Sequence, residues 1–502
     1  MKILSSAQVR ELDSRCIAKN LASGLALMER AGSGASEEIL DFINAFHPST
    51  KKIIILCGKG NNGGDGFVVA REMTKNGFPV KTLICAKKED LKGDAACHFN
   101  KIQKSVSCEF REKLFASDFP PKSIVVDALL GTGLSGVPSG KIASWIRAIN
   151  SSRRPVVALD VPSGLDSDSG KAFNPCVRAD LTVTFGAPKR GLFFDDALLV
   201  TGILRFVDIG FPKTLLSDYK SELNAVVPSE IGSLIPRHPN NSNKFSKGVV
   251  TVIAGSAKYS GAPVLSASSA LLSGAGLVTL LSPRGCEIRN IKKAIISLKV
   301  PSENGVFCRN SITPELNSVL EKSNAICVGP GMTPADSTFP LVDLLWKSRK
   351  KIVFDADALN IISRKRLPKR SVLGILTPHE GEMKRLCLAY GIKYGEDRIS
   401  SAKQLAKKTG NVIVLKGCRT LIADPNGKVY LNISGCLSLA SAGTGDVLAG
   451  LLASLCAQGL DPFASAILGV YIHGLAAEKN GRYAFSADKL IELIPQVMQD
   501  SI

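Results

Sequence analysis

The chain has 502 residues, 45% of them hydrophobic, 21% charged and only 6% aromatic, a balance that excludes a disordered or fibrous chain and suits two packed cores. The formal net charge of +19 raises nucleic acid or an acidic lipid surface as a partner, but the basic residues are spread out and not interleaved with aromatics. We therefore expect neither nucleic acid nor membrane as a partner, and assign part of the charge to steering a polyanionic substrate.

From the N-terminus, the chain shows no sustained apolar run, and Ser5 with Gln8 reads as a capping box opening a helix. Thirteen cysteines, an odd number with no CxxC pair, sit mostly beside apolar strand-like residues, as Cys57, Cys85 and Cys327 do. That usage points to a reduced, cytoplasmic protein. Strands are predicted at 53–57, 80–85, 123–127, 156–160 and 181–185 with helical stretches between them, which implies a parallel sheet with crossover helices. Three of them end in the turns GKGNNGGDG, DALLGTGLSG and DVPSGLDSDSG. Ligands of open α/β sheets bind at such carboxyl ends.

The first turn, 58–66, is expected to lead into a helix from 67, with its backbone N–H groups free for phosphate. GKGNNG satisfies the bare dinucleotide pattern GxGxxG, but Lys87 and Lys88, with Glu89 beyond them, replace the acidic residue expected near the end of the next strand. The turn also carries two asparagines and Asp65, which a plain pyrophosphate turn does not require. Asn62, Asp127 and Ser163 place hard oxygen ligands at three neighbouring strand ends, a mixture suited to an alkali or alkaline-earth ion. The alternative is that Asn62 and Ser163 merely cap turns. Asp160 brings a carboxylate to the same edge.

A polar stretch at 236–247 has the composition of a surface loop, and we place the boundary near 221–226, giving domains 1–222 and 223–502. Strands follow at 249–254, 325–328, 352–355, 372–376 and 412–415. The apolar stretches 262–281 and 447–460 are rich in small residues and read as buried helices. SAGTGDVLAG, 441–450, opens a helix whose N–H groups and dipole attract an anion. There Asp446 is the catalytic candidate: the N–H groups stabilise a transferring phosphoryl group while the carboxylate takes a hydroxyl proton. No GxxxxGK[ST] motif occurs, so a P-loop ATPase is not expected. A lone histidine is more often packed or capping than catalytic, yet for His379, inside TPHEGE, we expect ligand contact. Lys416 follows the 412–415 strand, where a phosphate partner is expected.

GKGNNGGDGFVVAR, VDALLGTGLSG, LDVPSGLDSDSG and TFGAPKRGL, in that order, resemble the YjeF N-terminal family of NAD(P)HX epimerases. The resemblance implies that Asn61, Asn62, Gly63, Gly64 and Asp65, with Gly131, Thr132, Gly133, Leu134, Ser135, Gly136 and Val137, contact a hydrated dinucleotide. It implies that Asn62, Asp127 and Ser163 hold K⁺. Asp160 is then the acid/base that protonates the leaving C6 hydroxyl and returns water to the opposite face. The second half resembles the ribokinase-like fold and, within it, the ADP-dependent (S)-NAD(P)H-hydrate dehydratases. That resemblance implies hydrate contacts at Ala262, Gly331, His379 and Asp446, adenine-nucleotide contacts at Lys416, Gly417, Cys418, Arg419, Thr420 and Gly445, and Mg²⁺ accompanying ADP. Departures from the family pattern are Ala442 for the first glycine of GGTGD, Leu439-Ala440-Ser441 for Met-Ala-Thr, and Glu380 for a frequent proline.

The expectation is thus a two-domain α/β chain, a Rossmann-like three-layer α/β/α domain followed by a ribokinase-like domain. It would be a homo-oligomer that epimerises NADHX and NADPHX and dehydrates the S form with ADP, yielding AMP and phosphate. The alternative is a ribokinase-like vitamin-precursor kinase fused to a non-catalytic binding domain, which predicts a stable phosphorylated product.

Overall fold

The computed structural model describes every residue except Ser135, Glu222, Glu396, 482–485 and Ile502. The chain forms two compact units, Met1–Ala225 and Val226–Ile502. In the first, strands β1 (Lys52–Cys57), β2 (Val80–Ile84), β3 (Ser107–Phe110), β4 (Ser123–Ala128), β5 (Val156–Leu159), β6 (Leu181–Phe185) and β7 (Ile203–Val207) form one parallel sheet in the order β3-β2-β1-β4-β5-β6-β7. All five expected strands are present. The edge strands β3 and β7 were not predicted; β3 buries none of its four side chains fully, so it lacks the apolar run that announces an inner strand.

Sheet burial on both faces follows from the two-residue period of a strand. Ile54 and Leu56 of β1 enter a cluster with Leu83, Val125, Trp145 and Ile149. On the other face, Ile55 and Cys57 lie against Gly66 of helix Asn61–Lys75. This helix begins at Asn61, which corrects the expected start at 67: most of GKGNNGGDG is the first helical turns themselves. Gly63 permits the tight entry, because a Cβ there would stand 2.1 Å from the carbonyl oxygen of Gly58.

Strand β8 (Leu223–Val226) spans the passage from one unit to the next. In the second unit β9 (Val249–Ile253), β10 (Leu277–Pro283), β11 (Ile296–Val300), β12 (Ala325–Val328), β13 (Lys351–Phe354), β14 (Ile375–Leu376), β15 (Val412–Leu415), β16 (Leu421–Ala423) and β17 (Val429–Asn432) run in the order β11-β10-β9-β12-β13-β14-β15-β16-β17. Pairing is parallel as far as β15, then antiparallel through β16 and β17. The stretch 262–281 is not one buried helix: helix Gly261–Leu272 stops before Gly274, which takes a left-handed φ of 101°, and the chain continues as β10. A glycine just past the last turn is a common helix stop. The small residues serve close helix packing, since a Cβ on Gly450 of helix Thr444–Ala457 would lie 2.1 Å from the Ser266 carbonyl oxygen. Among the described residues no helix is long and apolar enough to cross a membrane.

Candidate active sites

In the first unit the strand order reverses between β1 and β4, and a crevice opens where neighbouring crossovers leave in opposite directions. Helix Asn61–Lys75 starts there with no side-chain cap, so the N–H groups of its first turn face the crevice and favour an anion. Asn62, 8% exposed, donates through Nδ2 to the Leu130 carbonyl at 2.7 Å. Its Oδ1 is buried with no hydrogen-bond partner. Asp127, fully buried at the end of β4, accepts from Ser163 N at 2.8 Å and Ser163 Oγ at 2.7 Å. Burial pushes the Asp127 carboxyl up to about 6 despite these bonds and one from Leu129.

The two readings left open for Asn62 and Ser163 therefore overlap. Ser163 does tie the turn after β5 to β4, accepting from Leu130 N at 2.9 Å. Nevertheless an orphaned amide oxygen, a buried carboxylate and a hydroxyl converge on this edge, and that donor set fits a weakly hydrated monovalent cation.

Asp160 sits directly after β5 with φ at +62°, an uncommon conformation for a side-chain-bearing residue that aims it out of the strand direction. It is mostly enclosed, and its Oδ1 takes a 2.5 Å bond from Lys189 Nζ. Lys189 was not singled out in the sequence, because nothing local announces its partner 29 positions earlier. Asp65 lies in the same charge cluster. Burial raises its carboxyl well above the usual range, Asp160 adds to the rise and Lys189 opposes it. Asp13, from helix Ser6–Ala18, is pushed up to about 6 by burial, with Lys189 opposing and Asp160 adding.

The loop after β4 covers this edge. A Cβ on Gly131 would stand 3.4 Å from Asn62 Cβ and 3.5 Å from Asp160 Oδ2, and Thr132 is held by Arg10 through its carbonyl at 2.9 Å. Gly133, Leu134, Gly136 and Val137 continue the loop, Val137 being exposed; Ser135 lies outside the described residues.

In the second unit the order reverses between β9 and β12. Ala262, in helix Gly261–Leu272, and Gly331, after β12, are neighbours: a Cβ on Gly331 would be 3.2 Å from that of Ala262. Asp355 directly follows β13, and its Oδ1 accepts from Thr377 Oγ1 at 2.6 Å and Lys416 Nζ at 2.8 Å. Lys416, just past β15, is largely enclosed; burial opposes its charge, but Asp355, Glu382 and Asp446 outweigh that and raise its pKa. Gly417, Cys418, Arg419 and Thr420 continue from it into the turn before β16, with Cys418 exposed and Arg419 buried.

Asp446 stands in the first turn of helix Thr444–Ala457, whose N-cap Gly443 has φ at +87° and offers no side-chain cap. Burial pushes its carboxyl up to about 7, with Asp355 adding to the rise, Lys416 opposing it and Asp357 adding further. A Cβ on Gly445 would touch Lys416 Nζ at 3.4 Å, so the lysine, the bare helix N-terminus and Asp446 adjoin one another. Enclosed His473 meets the Thr444 carbonyl at 2.9 Å, bracing this turn. Such a site can hold phosphate and accept a proton beside it.

His379 is the N-cap of helix Glu380–Ala389, with Nδ1 accepting from Gly381 N at 3.0 Å and Glu382 closing a capping box. Its ring remains about half exposed. Glu380 opens that helix and pairs with Arg398 at 2.7 Å. Ala442 is exposed and is not among the residues with left-handed φ, so its backbone does not require glycine. Sequence reasoning missed Glu382, a nearly buried carboxyl pushed up to about 7 by burial, with Lys416 opposing.

A family model described as NAD(P)H-hydrate dehydratase matches residues 250–496, and one described as YjeF-related protein N-terminus matches residues 24–191. A relative from Moorella thermoacetica named bifunctional NAD(P)H-hydrate repair enzyme is 36% identical, the alignment covering 100% of this chain and 97% of the relative. One of the same name from Thermofilum pendens is 33% identical over 99% of this chain and 96% of its own. A ribokinase-like superfamily protein from Enterococcus faecalis aligns in structure with a TM-score of 0.50 at 24% identity, covering 56% of this chain and 98% of its own, a likeness of fold.

Proposed function

This chain belongs to the bifunctional NAD(P)H-hydrate repair enzymes, and on that premise we propose how its two sites divide the work. The first unit epimerises the R and S hydrates of NADH and NADPH. The second dehydrates the S hydrate at the expense of ADP, giving AMP and phosphate. One observation supports this reading above the others: at each switch point a carboxylate stands with an enclosed lysine beside an uncapped helix start, Asp160 with Lys189 and Asp446 with Lys416.

In the first site the N–H groups of Asn61, Asn62 and Gly63 and the 131–137 loop hold the dinucleotide. Asp160 protonates the departing C6 hydroxyl and takes a proton from the water that adds to the opposite face. Asn62, Asp127 and Ser163 would hold K⁺, which would supply the positive charge that offsets Asp127 near the phosphates.

In the second site Ala262, Gly331 and His379 flank the hydrate, while Lys416, Gly417, Cys418, Arg419, Thr420 and Gly445 receive the nucleotide. Asp446 removes the proton of the C6 hydroxyl, whose oxygen bonds to the β-phosphorus of ADP as the bond to AMP breaks. The ring nitrogen lone pair then expels phosphate to leave an iminium at C6, and loss of a proton from C5 restores the dihydronicotinamide. Among the described residues no group of three or more His, Cys, Asp or Glu is placed to hold a metal ion. Asp355 and Glu382 would serve Mg²⁺ in the manner of sites that share the ion with substrate phosphates and water, where it neutralises phosphate charge.

The vitamin-precursor kinase is not favoured, since full-length relatives carry both halves under the repair name. Incubating mixed R and S hydrates with ADP, Mg²⁺ and K⁺ tests the whole scheme by absorbance of the reduced nicotinamide. Complete recovery requires both sites, and recovery of only the S fraction means the first is inactive. A stable phosphorylated product with no reduced dinucleotide would overturn the dehydratase reading.

A further inference from the structure

Lys189 is about 2% exposed in its side chain, and a lysine is rarely enclosed to that degree without a dedicated partner. Its ammonium has three donors and three acceptors meet them: Asp160 Oδ1 at 2.5 Å, the Phe185 carbonyl at 2.7 Å and Thr184 Oγ1 at 3.1 Å. The backbone around it is pinned as well. Leu4 N donates to the Pro188 carbonyl and Arg190 N to the Leu4 carbonyl, joining the N-terminal segment to Lys189.

The same ladder introduces helix Ser6–Ala18, and with it Asp13. The charges facing Asp160 are therefore Asp13 from that helix, Asp65 from helix Asn61–Lys75, and Lys189 from the loop after β6. Three carboxyl groups share one cation. That cation bonds directly to Asp160, the member whose other oxygen faces the Gly131 loop.

We propose that Lys189 is the positioning residue of the epimerisation site, fixing Asp160 through Oδ1 and thereby presenting Oδ2 to the substrate as the oxygen that exchanges protons. It acts through Asp160 and does not touch the reacting carbon. The inference rests on the epimerase reading above. It adds the reason Asp160, among three crowded carboxyl groups, is the one held toward the substrate: a direct bond from Lys189 fixes one oxygen and leaves the other facing the Gly131 loop.

The test is the pH dependence of R/S interconversion in Lys189→Met, Lys189→Arg and the unsubstituted chain, with K⁺ present. In Lys189→Met the rate at saturating substrate should fall on the order of 100-fold with KM little changed, and the alkaline-side midpoint, where Asp160 loses the proton it must give to the departing hydroxyl, should move to higher pH by at least about one unit. Lys189→Arg should return the midpoint toward its original position. A Lys189→Met chain that keeps the original midpoint, whatever its rate, overturns the proposal. Should that variant fail to fold, Thr184→Val decides: loss of the hydroxyl bridging lysine and carboxylate should raise the midpoint by a smaller amount, and an unmoved midpoint overturns the proposal. If the unsubstituted chain does not interconvert the hydrates, the epimerase reading itself fails and this inference falls with it.

Discussion

Lys416 Nζ and Asp355 Oδ1, 61 positions apart in the chain, meet at 2.8 Å beside the helix that carries Asp446. The pair acts on Asp446 from both sides, the carboxylate raising its pKa and the ammonium opposing the rise, on top of the larger effect of burial.

With its carboxyl pushed up to about 7, Asp446 works as a base only when deprotonated, so kcat/KM for S-hydrate dehydration should rise with pH through about 7. Asp355→Asn removes a negative neighbour and should move the midpoint down; Lys416→Met removes the opposing cation and should move it up. A pH–rate series followed by absorbance of the reduced nicotinamide reads both. Movement in the same direction would rule out this electrostatic account.

Two glycines of the first site should respond oppositely to alanine. Gly63→Ala drives a methyl to 2.1 Å from a backbone oxygen, so thermal unfolding should show a loss of several kcal/mol, of the kind overpacking produces. At Gly131 the nearest atoms would be 3.4 and 3.5 Å away, on Asn62 and Asp160. That is ordinary contact, so Gly131→Ala should keep its stability while the methyl occupies the space between the two side chains and epimerisation slows about 10-fold or more.

Replacing K⁺ by choline at constant ionic strength should lower the melting temperature of the first unit by about 2 °C or more, as expected when a ligand of the folded state is withdrawn. Ser163→Ala or Asn62→Ala should abolish the difference. Equal melting temperatures in both salts for the unsubstituted chain would remove the cation from the scheme.

Arg370 is 6% exposed, and its guanidinium donates to the carbonyls of Leu345, Trp346, Ser348, Lys350 and Val372. It thereby closes the end of helix Phe339–Lys347. Burial lowers its pKa to about 10, still far above neutrality. Arg370→Met strands several buried oxygens and should destabilise the second unit by about 3 kcal/mol in urea unfolding, without moving the pH midpoint of dehydration.

Much of both candidate sites was legible because most of their candidate residues sit at or soon after the ends of apolar strands. Asn62, Asp127, Asp160 and Ser163 each follow or end a short β-branched run, as Lys416 does, and Asp446 opens a small-residue helix. The edge strands β3 and β7 and the antiparallel β16 and β17 were harder to read: β3, β16 and β17 have only three or four residues, too few to show a periodic run, and Arg205 interrupts β7. His379 carried no local signal to separate capping from contact, and the structure finds it capping a helix with its ring still accessible.

Glycine spacing, strand patterning and helix-start residues are local properties of the chain, and they sufficed to place the turns at which the candidate residues stand. Only the tertiary structure decided the charge partners. Strand order places β1 beside β4 and β9 beside β12, and a loop after β6 returns Lys189 to Asp160 while the end of β15 returns Lys416 to Asp355. Coulomb interactions depend on distance through space and on burial rather than on separation along the chain, so the lysine bonded to Asp160 and the Lys416–Asp355 pair beside Asp446 became visible only once the sheets were assembled.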